Sequence, residues 1–241
     1  MNSFQMPDRY QKADFVKDNF GKIASKYDLF NDLSTFFMHR LWKGEMISAI
    51  QKRGFKKPVC VDLCCGTGDI SLLINKKLLV ETVYSIDFSE NMLEIAKNRL
   101  KNYPLNHIQL GDATNLKDFS DSSVDVVTVG FGLRNVSSLE KSISEIYRVL
   151  KKDGIFVNLD VGKVRLPVIK WFANFYFFKI VPILGYIISG KQNKMFDYLP
   201  VSSLYYPDQD VLKEILENQG FRNVQYKDFV FGNATMHWGM K

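Results

Sequence analysis

The chain has 241 residues, 46% hydrophobic and 24% charged, which suits one globular domain with a sizeable core and an added helical piece. Its net charge of +6 is a small excess that selects neither nucleic acid nor an anionic surface. No basic segment leading into an apolar core and a cleavage site opens the chain, and its three cysteines, Cys60, Cys64 and Cys65, are odd in number and crowded together, which excludes a secreted disulfide scaffold and suits a reduced, cytoplasmic core.

Residues 12–52 read as helical. Val16, Phe20, Ile23 and Tyr27 recur at helical spacing, and a second run holds Leu41, Trp42, Met46 and Ile50. Between them "YDLFNDLSTFFMHR" (27–40) shows no clean periodicity. Residues 1–57 are taken as an N-terminal helical cap and 58–241 as the main domain. From residue 58 strands and helices alternate. Strands are expected at 59–63, 82–86, 107–110, 124–129 and 155–159. Helices are expected at 69–77, after Ser89, and after a Ser137/Glu140 capping box. Such alternation implies a mostly parallel, doubly wound sheet.

The stretch "VIKWFANFYFFKIVPILGYII" (168–188) lies in a hydrophobic insertion over about 165–200. It is long enough to span a bilayer but carries two lysines and Pro182. A greasy helix packed on the domain or lying in a membrane interface fits it better. One more helix at 209–219, ended by Gly220, precedes two closing strands near 224–231 and 234–240. They meet at Gly232-Asn233, a hairpin-type turn.

The first strand ends in Asp62-Leu-Cys-Cys-Gly66-Thr67-Gly68-Asp69 and feeds a helix, which puts a glycine turn at the carboxyl edge of the sheet. A dinucleotide fingerprint would place a third glycine where Ser71 stands, and no Gly-Lys-Ser/Thr of a P-loop follows. Carboxylates here repel a pyrophosphate and welcome a cation bearing hydroxyls. Asp87 closes the second strand, where a carboxylate takes both hydroxyls of a ribose. Gly111-Asp112-Ala113 ends the third, where an acid can accept the exocyclic amine of adenine. Glycine turn, ribose acid and adenine acid, following three strands in order, point to S-adenosylmethionine. Gly66, Gly68, Asp62 and Gly130, all at this edge, are grouped with them as cofactor-binding.

The sequence resembles the ubiquinone/menaquinone biosynthesis C-methyltransferases along nearly its whole length. The match rests on "YDLFNDLSTFFMHRLWK" (27–43), "DLCCGTGD" (62–69), "IDFSENML" (86–93), "GDATNL" (111–116), "VDVVTVGFGLRNV" (124–136), "YRVLKKDG" (147–154), "YLPVSSLYYPDQDVLKEIL" (198–216) and "MHWGMK" (236–241). The resemblance implies a class I S-adenosylmethionine-dependent methyltransferase: a Rossmann-like α/β fold with a mostly parallel sheet, a terminal antiparallel hairpin and added helices. It implies methyl transfer to a ring carbon of a reduced prenylated quinone, with Thr67, Asp87, Asp112 and Ala113 as cofactor contacts. The cysteine pair leans toward the demethylmenaquinol branch, with the benzoquinol step of ubiquinone synthesis as the alternative. Two departures stand out. Leu159-Asp160-Val161-Gly162 replaces a common Leu-Glu-Phe-Ser, and Met240 stands where a Tyr is usual.

An aromatic carbon attacks a sulfonium methyl only from an electron-rich ring, so the acceptor is expected as the hydroquinone. Arg134, after the fourth strand, stays protonated and suits stabilisation of a phenolate oxygen. Tyr27 is expected to hydrogen-bond a quinol oxygen, and His237 is the candidate base. No metal site is expected, because His39, His107 and His237 are scattered. The lysines are dispersed and no Asn-Pro-Pro-aromatic motif follows the fourth strand, so nucleic acid is not an expected substrate. A non-catalytic cofactor-binding protein is the reading from another class. The apolar insertion, with Lys170, Lys179 and Lys191 around it, is expected to line an isoprenoid channel and dock peripherally on anionic headgroups. A core helix or a homodimer contact is the alternative use of the same segment.

Overall fold

The computed structural model describes residues 4–8, 11–190 and 193–241, so Lys191 lies outside the described residues. Seven strands form one sheet: β1 Val59–Leu63, β2 Thr82–Asp87, β3 Asn106–Leu110, β4 Val124–Gly130, β5 Leu150–Val161, β6 Arg222–Phe229 and β7 Ala234–Met240. Their order is β3-β2-β1-β4-β5-β7-β6. The first five pair in parallel, and β7 runs antiparallel between β5 and β6. Strand order reverses between β1 and β4, and in an open α/β sheet the ligand crevice forms outside the carboxyl ends at such a point.

Side-chain alternation explains why both faces are covered. Val61, Val127 and Phe156 point into one core with Ile143, Ile146, Leu212 and Leu216 from α5 (Leu139–Val149) and α9 (Gln209–Gln219). Their neighbours Cys60, Val126, Ile155 and Val157 point the other way. They pack on Trp42, Met46 and Ile50 of α2 (Met38–Gln51) and on Ile70 and Ile74 of α3 (Asp69–Lys77). Each such fully buried aliphatic side chain contributes about 1.5–3 kcal/mol. Helix α4 (Glu90–Leu100) follows β2.

A third apolar cluster lies above the carboxyl edge. There Val16, Phe20, Ile23 and Phe30 of α1 (Lys12–Ser34) pack on Val181 of α7 (Val181–Ser189) and on Met195, Phe196 and Tyr198 of α8 (Lys194–Tyr205). A Cβ at Gly185 would stand 2.2 Å from the Phe196 ring, so a glycine is what lets α7 approach α8. The N-terminal residues and the insertion therefore build one roof over the sheet edge.

Several sequence expectations are corrected. Residues 27–34 continue α1, and the chain breaks only at Phe36 and Phe37, both left-handed (φ 49° and 62°). The periodicity there was unreadable because Asp28, Asn31 and Asp32 face polar sites while Phe30 faces the core. The cap of α5 is Ser138 rather than Ser137, its hydroxyl accepting from the Lys141 amide. Strand β5 begins at Leu150, running through Lys151-Lys152-Asp153-Gly154 with Asp153 left-handed and a register shift against β4. The first strand ends at Leu63 as expected, and Cys64, just beyond it, is left-handed (φ 54°). The apolar insertion is one continuous helical rod over Pro167–Ser189, made of α6 (Pro167–Phe175), a wide π turn at Tyr176–Ile180, and α7. Pro182 lacks an amide proton and crowds the carbonyl four residues back, and the widened turn before it accommodates both defects.

Candidate active site

The glycine turn opens a cleft at the switch point between β1 and β4. Cys64 to Thr67, Asp69, Asp87, Gly111 to Ala113, Gly130 to Gly132 and residues of α1 line it. The backbone is shaped for close approach: Gly66 (φ 54°) and Gly68 (φ 83°) are left-handed, and a Cβ at Gly66 would meet nothing within 4 Å.

Asp87 accepts the Gly66 amide on Oδ2 and the Ser89 amide on Oδ1, both at 2.9 Å. One lone pair on each oxygen is left over, which is what two vicinal hydroxyls require. Burial pushes this carboxyl up to about 6, against the pull of its amide donors. Asp112 and Ala113 line the cleft as expected, with Asp112 Oδ1 accepting the Thr114 amide at 2.8 Å.

Asp62 is not a lining residue. Its Oδ2 takes the Ser71 amide (2.9 Å) and hydroxyl (2.6 Å), and its Oδ1 takes the Thr128 hydroxyl (2.9 Å), so it pins β1, α3 and β4 beneath the floor. Burial raises it to about 6 as well. Ser71, standing where a dinucleotide fold has glycine, is held by that bond and by the Ser85 hydroxyl at 2.6 Å. Gly68 likewise stands behind the cleft, facing Leu100 and Ala96.

An unforeseen polar network crosses the cleft. Thr67 donates to Asp28 of α1 at 2.7 Å, Lys43 of α2 donates to Asp69 at 3.0 Å, and Arg99 of α4 bonds both Asp28 and Asp69. Although burial alone would raise it, Lys43 and Arg99 hold Asp69 below the usual carboxylate range. Asp28, Asp69, Asp87 and Asp112 face the cleft while Lys43 is its lining cation. That donor set fits a ligand carrying a sulfonium, an ammonium, ribose hydroxyls and one carboxylate.

A second, apolar cavity of about 390 Å³ lies beside the first. Tyr27, Asn31 and Phe131 line both, so the two spaces meet at those side chains. Phe131 is left-handed (φ 58°) and its amide bonds the Leu159 carbonyl at 2.6 Å, a strained residue held by the sheet edge. Arg134 lines this cavity, 8% exposed, paired with Asp160 and lying over the Phe131 ring. Burial opposes its charge, but Asp160 more than compensates and keeps the guanidinium protonated. Asp160 thus reaches Arg134 despite being a methylene shorter than the Glu usual there. Lys12 ties α1 to the same turn, donating to the Arg134 and Val136 carbonyls at 2.9 Å. Burial raises Tyr27 above the ordinary phenol range, so it stays a neutral donor.

His237 is corrected. It lies on β7 against α9, its Nε2 2.9 Å from the Gln209 carbonyl, and it lines neither cavity. Burial lowers it, so it is a neutral packing residue. Sequence reasoning marked Asp69 as part of the acidic turn and Asp28 as a member of the motif over the site, but it missed Asn31, Lys43 and Arg99 and the bonds that join them. Asp28, Asn31 and Lys43 were visible only as members of the aperiodic 27–43 motif.

The fold is that of a class I S-adenosylmethionine-dependent methyltransferase. A possible histamine N-methyltransferase from Thermotoga maritima superposes with a TM-score of 0.64 at 17% identity, over 93% of this chain and 99% of that one. A phosphoethanolamine N-methyltransferase from Haemonchus contortus, solved with S-adenosylmethionine, superposes with a TM-score of 0.61 at 14% identity, over 95% and 60%. The model of the ubiE/COQ5 methyltransferase family matches residues 8–241. A demethylmenaquinone methyltransferase from Leptospira interrogans is 57% identical over 100% of this chain and 98% of its own. One from Staphylococcus haemolyticus is 35% identical over 98% of each. The chain belongs to the ubiE/COQ5 methyltransferase family, and it is a methyltransferase that uses S-adenosylmethionine.

Proposed function

We propose that this protein methylates a ring carbon of a reduced, prenylated naphthoquinone precursor, converting demethylmenaquinol to menaquinol. The observation that carries the reading is the junction at Tyr27, Asn31 and Phe131. There an acidic cleft fitted to the methyl donor opens into an apolar cavity that holds a fixed cation, Arg134.

When bound, the donor supplies an electrophilic methyl on sulfur. Asp87 would hold the ribose, Asp112 and the Ala113 edge the adenine, Gly66 and Thr67 the turn-side atoms, and Lys43 a carboxylate. Tyr27, a neutral hydroxyl between the two spaces, would donate to a ring oxygen, and Arg134 would stabilise the negative oxygen of the activated ring. Both act mainly by orienting the ring and by charge complementarity, as methyl transfer needs no covalent help from the protein. Three free cysteines suit a cytoplasmic protein.

The ring must come from a bilayer. Ile169, Phe172 and Ala173 of α6 line the cavity, while Trp171, Phe172 and Phe175 of the same helix are mostly exposed and no residue of α6 is buried. The helix is long and apolar enough to cross a membrane with α7, yet Val181, Pro182 and Gly185 are buried on the domain. This supports an interfacial helix that dips into one leaflet and passes the isoprenoid tail to the cavity. A second copy of the chain is the alternative occupant of that face.

The deciding experiment supplies reduced naphthoquinol and benzoquinol precursors in parallel, each with methyl-labelled S-adenosylmethionine. Label is expected in the naphthoquinol product. Transfer to the benzoquinol alone would reassign the nucleus, and transfer to neither would remove the quinol reading.

A further inference from the structure

Activating a hydroquinone requires a proton acceptor in the acceptor cavity, and the expected base, His237, is elsewhere. His39 lines that cavity, 2% exposed, at the first turn of α2. Its Nε2 lies 2.8 Å from Asp32 Oδ1, which comes from the last turn of α1. Asp32 is in turn gripped by Arg40, whose Nε donates to Oδ1 at 2.7 Å and whose Nη2 donates to Oδ2 at 2.6 Å. A carboxylate in a bidentate arginine fork stays ionised, and the Arg40 bonds hold Asp32 below the usual range. It therefore accepts a proton from Nε2, and Nδ1 carries the lone pair.

That Nδ1 is buried and has no hydrogen-bond partner among the described residues. Only four buried side-chain atoms share this condition there: His39 Nδ1, Arg134 Nε, Asn158 Oδ1 and His237 Nδ1. Two of the four belong to side chains lining the acceptor cavity, one a donor and one an acceptor. A buried polar atom without a partner is unfavourable, so their coincidence in one apolar space points to a ligand that meets both. A ring with two hydroxyls does so.

We propose that His39, oriented by Asp32, is the general base that takes a hydroxyl proton from the hydroquinone at Nδ1. The inference rests on the quinol reading above. The hydroxyl O–H bond breaks and its proton goes to Nδ1. The oxygen's electron pair drives the neighbouring ring carbon onto the donor methyl, the new C–C bond forming as the C–S bond breaks and its electrons stay on sulfur. The resulting ketone regains its aromatic ring by losing the ring proton to water while His39 returns its proton to the oxygen. One proton is released per turnover, matching the charge lost from the sulfonium. Asp32 is a positioning residue.

The charged groups around the ring are Asp32 of α1 with its partner Arg40 of α2, Lys43 of α2 and Asp69 of α3, with Arg134 lining the cavity from the turn after β4. Burial first, and Lys43 second, lower the imidazole below its ordinary value despite the carboxylates, so it is neutral and able to accept at pH 7.

The test combines nitrogen NMR of histidine-labelled wild-type protein with single-turnover kinetics of His39→Asn and Asp32→Asn, using demethylmenaquinol with a short tail. The His39 ring is expected to be the Nε2–H tautomer with a bare Nδ1. His39→Asn is expected to slow the chemical step 100-fold or more, with S-adenosylhomocysteine affinity within twofold of wild type and the acidic limb of the rate profile gone. Asp32→Asn is expected to shift the ring toward the Nδ1–H tautomer and slow the step less. An Nδ1–H tautomer in the wild type overturns the proposal without any variant, even if His39→Asn fails to fold. Turnover within threefold of wild type in His39→Asn overturns it too. No turnover by the wild type removes the quinol reading, and the base assignment with it.

Discussion

Thr67 Oγ1 donates to Asp28 at 2.7 Å, which fastens the roof helix α1 to the glycine turn across the cofactor cleft. Arg99 reinforces the tie by bonding Asp28 and Asp69, and its Nη1 donates to Thr67 Oγ1 at 3.0 Å. Asp28→Ala is expected to loosen the roof and speed S-adenosylhomocysteine release by about tenfold, the loss of roughly 1.5 kcal/mol of charge-assisted hydrogen bonding. Stopped-flow displacement measures it. An unchanged off-rate would mean that α1 does not gate the cleft.

The two glycines of the turn separate binding from folding. Gly66→Ala adds a methyl facing open space at φ 54°, so it carries about 1–2 kcal/mol of backbone strain and a Tm loss of a few degrees. The same methyl intrudes on the cleft, and affinity for the donor is expected to fall at least tenfold. Gly68→Ala, at φ 83° with Leu100 Cδ1 at 3.0 Å and Ala96 Cβ at 3.3 Å, is expected to lower Tm further. Melting curves with and without S-adenosylhomocysteine check both. Equal ligand-induced shifts in Gly66→Ala and wild type would refute the cleft assignment.

What could be read in advance follows from where each signal resides. The alternation of β-branched runs with amphipathic helices specified the sheet, and the acids Asp69, Asp87 and Asp112 after three successive strands marked side chains that line one cleft, because both signals are local in the chain. Arg134 and Tyr27 stood out within motifs, and they do line the acceptor cavity. Asp32 and His39 did not, since their pairing depends on a sharp break at Phe36 and Phe37 that brings the end of α1 against the start of α2. Lys43, Asp69, Arg99 and Asp28 meet from four different helices, and no periodicity encodes that. His237 misled because intrinsic pKa was weighed without position.

With Asp87 as the proposed ribose ligand, donor binding is expected to depend on pH. Its carboxyl sits at about 6 in the folded, ligand-free protein, above an ordinary value of 3.8. The folded state therefore favours the protonated form, so stability from this group is present below about pH 4 and is lost as pH rises through about 6. Ribose hydroxyls would donate to the ionised form, so affinity is expected to run the opposite way, full well above pH 6 and falling as pH drops through about 6. Asp87→Asn is expected to bind weakly with a flat profile from about pH 5 to 8. Asp62→Asn, which removes a group of similar value beneath the floor, is expected to alter the pH dependence of Tm while leaving that of binding in place. Calorimetric titration across this range decides. A binding limb that survives Asp87→Asn would point to another group.

Arg134 and Asp160 form a buried pair, so a single substitution confounds folding with catalysis. Arg134→Met leaves Asp160 unpaired and is expected to destabilise the fold by about 3–5 kcal/mol. The double variant Arg134→Met/Asp160→Leu removes both charges and is expected to recover most of the lost Tm. Its turnover is expected to stay 100-fold or more below wild type, about 3 kcal/mol of transition-state stabilisation, with S-adenosylhomocysteine affinity intact. Recovery of turnover along with Tm would reduce Arg134 to a packing role.

Trp171 and Phe175 are 64% and 52% exposed and line neither cavity, so replacing both with Ser removes little from the folded core and leaves the cavity wall, Phe172 included, in place. On a membrane the same rings would contribute about 2–3 kcal/mol each, from the area they withdraw from water at roughly 25 cal/mol per Å². The double variant is expected to keep its Tm and to methylate a short-tailed, detergent-dispersed quinol at a near-normal rate. It is expected to lose flotation with anionic liposomes and turnover of long-tailed quinol embedded in them. Salt should weaken flotation of the wild type only in part, because the apolar contribution is unscreened. If instead the variant floats like wild type but sediments as a monomer where the wild type is a dimer, a second copy, rather than lipid, covers this face.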